Sequence, residues 1–125
     1  EVKSGGLPSA RPTQTVNSFT QAGSYYYSQA MRGSSERNLT ARNHTIAIYT
    51  TGFTGNVFVE GNLDDQASTN NNHWFALDVQ GQGSNGIRFT SHTDVDPFFF
   101  ESSVKWIRIK YEVTAGSVDK VLLRN

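Results

Sequence analysis

Val104-Lys105-Trp106-Ile107-Arg108-Ile109-Lys110-Tyr111-Glu112-Val113 is the densest piece of the chain, and its reading decides the fold class. Ile107, Ile109, Tyr111 and Val113 share one parity, while Arg108, Lys110 and Glu112 take the other. A period of two is the signature of a strand with one dry and one wet face. Thr114-Ala115-Gly116-Ser117 then reads as a turn and Val118-Asp119-Lys120-Val121-Leu122-Leu123 as a returning strand, so the C-terminal region is expected to close as a hairpin.

The same grammar repeats upstream. His44-Thr45-Ile46-Ala47-Ile48-Tyr49-Thr50-Thr51 is rich in β-branched residues, and the glycines of Gly52-Phe53-Thr54-Gly55 allow a tight reversal into Asn56-Val57-Phe58-Val59-Glu60-Gly61-Asn62-Leu63. The expectation is a second hairpin. Asp64 to Asn72 is a polar loop with nothing to bury, His73 to Val79 a strand, Gly81 to Gly86 a turn and Ile87 to Ser91 another strand. Apolar residues nowhere hold helical spacing for long, and the best stretch, Ser28 to Ala41, is too polar for a helix. These short, near-regular segments predict an all-β, antiparallel β-sandwich, jelly-roll-like, with residues 43–125 as its body. Residues 1–42 form an extended N-terminal arm and a first irregular or strand segment.

Composition narrows the function classes. The chain has 125 residues, which fits one domain able to bury a core without cross-links. Eleven basic residues balance eleven acidic ones, so attraction to nucleic acid or to an anionic membrane has no support at the level of the whole chain. Arg108 and Lys110 on one strand, with Arg32, Arg37 and Arg42 scattered, read as solvated surface in preference to a phosphate site. Cysteine is absent, which removes disulfides and thiolate metal sites and leaves the redox compartment open. No apolar run reaches the length of a membrane-spanning helix. The sequence starts at Glu1 without methionine and without an apolar leader core, for which proteolytic maturation and a partial sequence are both readings.

Residues that carry catalysis are hard to find. His44, His73 and His92 sit on different expected strands without a metal-ligand spacing, so each reads as a satisfied or exposed histidine. Asp64-Asp65 and Asp94-Val95-Asp96 could offer oxygens to calcium, but neither matches a full calcium loop. Nucleophile elbows of the Gly-x-Ser-x-Gly kind are missing, and a carboxylate pair of the glycosidase kind is set by space and not by sequence. The expectation is therefore no catalytic residue, no metal and no cofactor. Asn38-Leu39-Thr40 and Asn43-His44-Thr45 fit the N-glycosylation pattern, which matters only in a eukaryotic secretory setting.

Aromatic residues supply the contact candidates. Tyr25, Tyr26 and Tyr27 form either one strand with alternating faces or an exposed contact patch. Phe98, Phe99 and Phe100 cannot all face one side of a strand, so at least one turns toward a second layer, the arm or another subunit. Trp74 and Trp106 take the parity opposite to their strands' apolar residues. Each either points outward, where it could stack on a sugar ring, or packs at a sheet edge or beneath the Asn-rich loop or the arm. The arm around Ser4 to Thr13 has too little apolar content to order itself by burial; if it is ordered, a neighbouring subunit or the domain's own flank holds it.

From Thr45 to Leu123 the chain resembles small β-sandwich domains of tailed-bacteriophage virion proteins. The likeness rests on Gly55 to Asp64, His73 to Asp78, Pro97 to Phe100, Trp106 to Tyr111 and Thr114 to Val118; the Asn-rich loop is longer here, and the N-terminal third does not share it. The resemblance implies a non-enzymatic virion structural protein, located in the virion on the head, neck, tail or fibres. Its partners would be other virion subunits and copies of itself, with Tyr25 to Tyr27 and Phe98 to Phe100 in the contacts and no role for nucleic acid or membrane. The rival expectation is a carbohydrate-binding module that stacks glycan on Trp74 and Trp106.

Overall fold

A computed structural model describes residues 13–33, 43–80 and 86–124. The Pro/Gly/Ser stretch up to Pro12, Arg37, Arg42, the Asn38 sequon and most of the turn expected at 81–86 lie outside the described residues. The strands are β1 (Gln14–Val16), β2 (Phe19–Ala22), β3 (Tyr25–Ser28), β4 (Met31–Arg32), β5 (Asn43–Asn62), β6 (Phe75–Ala76), β7 (Ile87–Glu101) and β8 (Trp106–Arg124). All of them join one antiparallel sheet. β5 and β8 form its centre, paired from Thr45 opposite Arg124 to Asn62 opposite Trp106. β7 and β6 follow the far edge of β5, and β1, β3 and β4 follow the far edge of β8, with β2 outside β3.

Two expected hairpins are single strands. β5 continues for 20 residues through Gly52 to Gly55, and β8 for 19 residues through Thr114 to Ser117. The turn-forming residues are used for bulges: the β5–β8 register slips between Tyr49 and Thr50, between Thr51 and Thr54, and between Thr54 and Gly55. Gly52 and Gly116 take left-handed φ values of 57° and 72°, and a side chain on Gly116 would run into the Gly52 carbonyl. The two kinks therefore sit back to back, and a bulge bends a strand without ending it. Across the bend the buried parity changes, from Ile46, Ile48 and Thr50 to Phe53, Val57 and Val59. The extra residue keeps the apolar side chains on one face of the sheet in both halves.

That face then closes on itself. Phe89 and Phe98 are nine positions apart on β7, about 30 Å along a straight strand, yet their ring centroids lie 6.1 Å apart. β7 must double back, and Ser91, with φ of 45°, stands at that corner. The result is a sandwich-like all-β fold made by folding one sheet, with Ile46, Ile48, Phe53, Ile107, Ile109 and Leu123 fully enclosed between its halves. Phe53 bridges them, 5.6 Å from Phe89 and 5.9 Å from Tyr111.

Residues 14–32, within the expected arm, form four short strands, of which β1, β3 and β4 lie along β8 and β2 lies along β3. They bring Val16, Met31 and the half-buried Tyr26 to the core, so the domain's own flank holds them. The strand expected at His73 to Val79 shrinks to Phe75–Ala76, because Asn71–His73 forms a 3₁₀ turn capped by Asn70, whose Oδ1 accepts from the Asn72 N–H at 2.9 Å. The strand expected at Ile87 to Ser91 continues instead to Glu101.

Candidate functional site

On the outer face of one half, cross-strand pairing sets Phe58 beside Lys110 and Glu60 beside Arg108, with Tyr27 beside Lys110 from the other edge. The Arg108 Nε donates to Glu60 Oε1 at 2.8 Å, and its Nη1 donates to Asn71 Oδ1 at 2.9 Å. Its guanidinium lies between two rings, 4.3 Å from the centroid of Tyr27 and 4.4 Å from Trp74. Lys110 Nζ sits 3.7 Å from Glu60 Oε2 and 4.1 Å over the ring of Tyr25. Arg108 is only 5 % exposed and Glu60 6 %. This corrects the sequence expectation that Arg108 is solvated surface. Parity does place it away from the core, but the Asn-rich loop folds over that face.

What holds the loop down is polar. Asn62, fully buried on β5, donates to the His73 carbonyl at 3.1 Å and accepts from the Asp64 N–H at 3.1 Å. Both indole N–H groups pin the same loop, Trp74 to the Ser68 carbonyl and Trp106 to the Asp64 carbonyl, each at 3.0 Å. A loop with few apolar residues is thus ordered by hydrogen bonds and by covering Trp74 and Arg108.

The outer face of the other half is different. Register places Val95, Pro97 and Phe99 of β7 beside Tyr49, Ala47 and Thr45 of β5, with Leu122 and Lys120 of β8 continuing the row. Phe99 is 54 % exposed and Val95 40 %. β7 pairs only with β5 among the described residues, so its outer edge is open. At three successive outward positions that edge offers no donor. The Val95 N–H donates to Asp94 Oδ1 at 2.8 Å, Pro97 has no N–H, and the Phe99 N–H donates to Gln80 Oε1 at 2.7 Å.

At the corner between the halves, Thr50 Oγ1 lies 2.5 Å from His92 Nδ1, and His92 Nε2 lies 3.0 Å from Asp96 Oδ2. In the neutral imidazole the pairing assigns the proton to Nε2, which donates to Asp96, so the Thr50 hydroxyl donates to Nδ1. Hydroxyl, imidazole and carboxylate in a row are the parts of an acyl-transfer site. Thr50 is 4 % exposed, and the row ties β5 to β7 where both bend. On the neighbouring side Asp119 accepts from the Thr51 hydroxyl at 2.6 Å and the Ser117 hydroxyl at 2.7 Å. Those two hydrogen bonds, Thr51's the larger, hold its carboxyl below the ordinary range.

The aromatic candidates therefore part company. Tyr26 stacks on Tyr111 at 5.1 Å on the core side, whereas Tyr25 and Tyr27 face the Lys110 and Arg108 cluster. Phe98 packs edge-on against Phe89, and Phe100 stacks on the buried His44 at 4.7 Å, which leaves Phe99 outside. Trp74 is 8 % exposed beneath the loop, with one ring face against Arg108, and Trp106 is half-buried. Glu60, Asn71, His92 and Asp96 were not singled out by sequence reasoning as partners. His92 and Asp96 are four apart, about 13 Å on a straight strand, and only the bend joins them. No group of three or more His, Asp or Glu side chains that could hold a metal ion gathers among the described residues.

No protein-family model matches the chain, and no curated protein or solved structure is significantly similar to it.

Proposed function

We propose that the protein is a non-enzymatic structural subunit of a tailed-bacteriophage virion, assembling in several copies on the head, neck or tail. The observation that carries the reading is the row of Val95, Pro97 and Phe99, an apolar strip on an outward sheet face that the described residues leave uncovered. Such strips mark contact surfaces when they are contiguous, and repeated copies turn modest interfaces into firm attachment. The likeness of Thr45 to Leu123 to virion sandwich domains gives the setting. With the β7 edge donors occupied, subunits meet through side chains on this face and not by adding a strand.

Light scattering on eluting protein tests it. The wild-type chain is expected to run as a defined oligomer at micromolar concentration. Phe99→Asp is expected to run as a monomer with unchanged circular dichroism, because its ring supports nothing inside. A wild-type monomer at every concentration that also fails to bind phage particles lacking it would sink the reading.

A further inference from the structure

β2 is the last strand on its side of the sheet: it pairs with β3 and, among the described residues, with nothing beyond. The hairpin that carries it fixes which main-chain groups face out. Ala22 and Tyr25 flank the two-residue turn Gly23-Ser24, where Gly23 has φ of 67°. A turn of that length closes on a hydrogen-bonded pair, and bonded pairs alternate with open ones along an antiparallel ladder. Ala22 with Tyr25 and Thr20 with Tyr27 are therefore the bonded pairs. Phe19 and Gln21, opposite Ser28 and Tyr26, turn their N–H and C=O groups away from β3.

Nothing guards those groups. β7, on the opposite side of the sheet, withholds its donors through Asp94, Pro97 and Gln80. β2 has no such device: from Thr13 to Met31 the chain contains no charged residue and no proline, which are the usual means of keeping an edge from pairing. Thr20, Gln21 and Ala22 are exposed, while the Phe19 ring, edge-on to Tyr111 at 5.0 Å, anchors the strand to the core. The edge is held in place and its outward hydrogen-bonding groups are free.

We infer that β2 is a docking edge for the same strand of a second copy, the two running antiparallel about a two-fold axis at Thr20. In that register Phe19 faces the partner's Gln21, each exchanging an N–H and a C=O. Thr20 faces the partner's Thr20 as the close pair without main-chain bonds, where two threonines pair well. Two observations select a second copy. A two-fold axis of this kind brings charges near it up against their own like, and this hairpin has none to repel. Pairing also uses up both β2 edges at once, and with the β7 edges guarded the joined sheet stops growing. β2 lies beyond β3 and β8, whereas the Phe99 strip lies beyond β5 on β7, so the contact adds to the assembly reading without resting on it.

Solvent-exchange NMR on the whole chain carrying Phe99→Asp tests it, because that variant disables the strip and leaves β2 untouched. The amide protons of Phe19 and Gln21 are expected to exchange at least about threefold more slowly at ~1 mM protein than at ~10 µM. Those of Thr20 and Ala22, already bonded to β3, are expected to stay constant. Thr20→Lys sets like charges face to face, and Gln21→Pro removes an outward N–H without touching the β3 ladder. Each is expected to abolish the concentration dependence at Phe19, with the Ala22 amide still protected as the sign of an intact hairpin. Exchange at Phe19 and Gln21 that ignores concentration would overturn the inference, whatever the wild-type chain does through Phe99. A concentration dependence that survives Thr20→Lys would overturn the two-fold register. Protection gained only on phage particles would assign the edge to a foreign strand and overturn the second copy.

Discussion

Asp119 shows how a single exposed side chain reports on the bend. It links Thr51 of β5 to Ser117 of β8, residues that lie opposite each other across the kink. An unfolded aspartate titrates near pH 3.9, and the folded group titrates below its ordinary value. Its stabilisation is therefore complete above the unfolded value and is lost as pH falls through the folded one. Asp119→Asn is expected to lower the melting temperature at neutral pH, with the gap from wild type narrowing as pH drops below about 4. A gap that stays constant in a melting series from neutral to acid would remove Asp119 from this role. The opposite end of the pH range belongs to Tyr111. Burial first, then Tyr26 and Asp119, raise its value, so its stabilisation is intact below about pH 10 and lost as pH rises through the folded value.

β7 shows the same economy at the scale of an element. A 15-residue strand with an open edge is a template for unwanted pairing. Asp94, Pro97 and Gln80 together withhold the donors that a foreign strand would need. Replacing all three at once, as Asp94→Ala, Pro97→Ala and Gln80→Ala, frees those donors while leaving the exposed side chains of Val95 and Phe99 untouched. The triple variant is expected to form β-rich aggregates under conditions where wild type stays dispersed, read by turbidity and dye binding. Equal dispersal would show that the edge is guarded by something else. Alternation made the strand segments legible, as the buried row of Ile107, Ile109 and Tyr111 attests. The reversals were not, because a glycine with left-handed φ serves a turn and a bulge equally well, and only pairing of distant segments decides between them. Arg108 repeats the lesson at the site. Its direction follows from parity, whereas its burial depends on a polar loop held by Asn62 and two indoles, for which no local pattern exists.

For the whole molecule, one core results from a sheet that folds across itself, and both ends of the described chain contribute, Val16 pairing with Val121 and Met31 with Ile107. The N-terminal strands had too few apolar residues to announce themselves, yet β1, β3 and β4 need only one inward side chain each when β8 already provides the partner strand. The bend has a further consequence for how the chain can change length. Within either half of β5, one added residue turns part of the strand inside out. At the corner the alternation is already interrupted, so an added residue alters the angle between the halves and leaves each half's facing intact. A glycine inserted between Ala47 and Ile48 is thus expected to abolish cooperative urea unfolding, while one inserted between Gly52 and Phe53 preserves it at a lower midpoint. The crease is where residues can be gained or lost without rewriting the faces on either side.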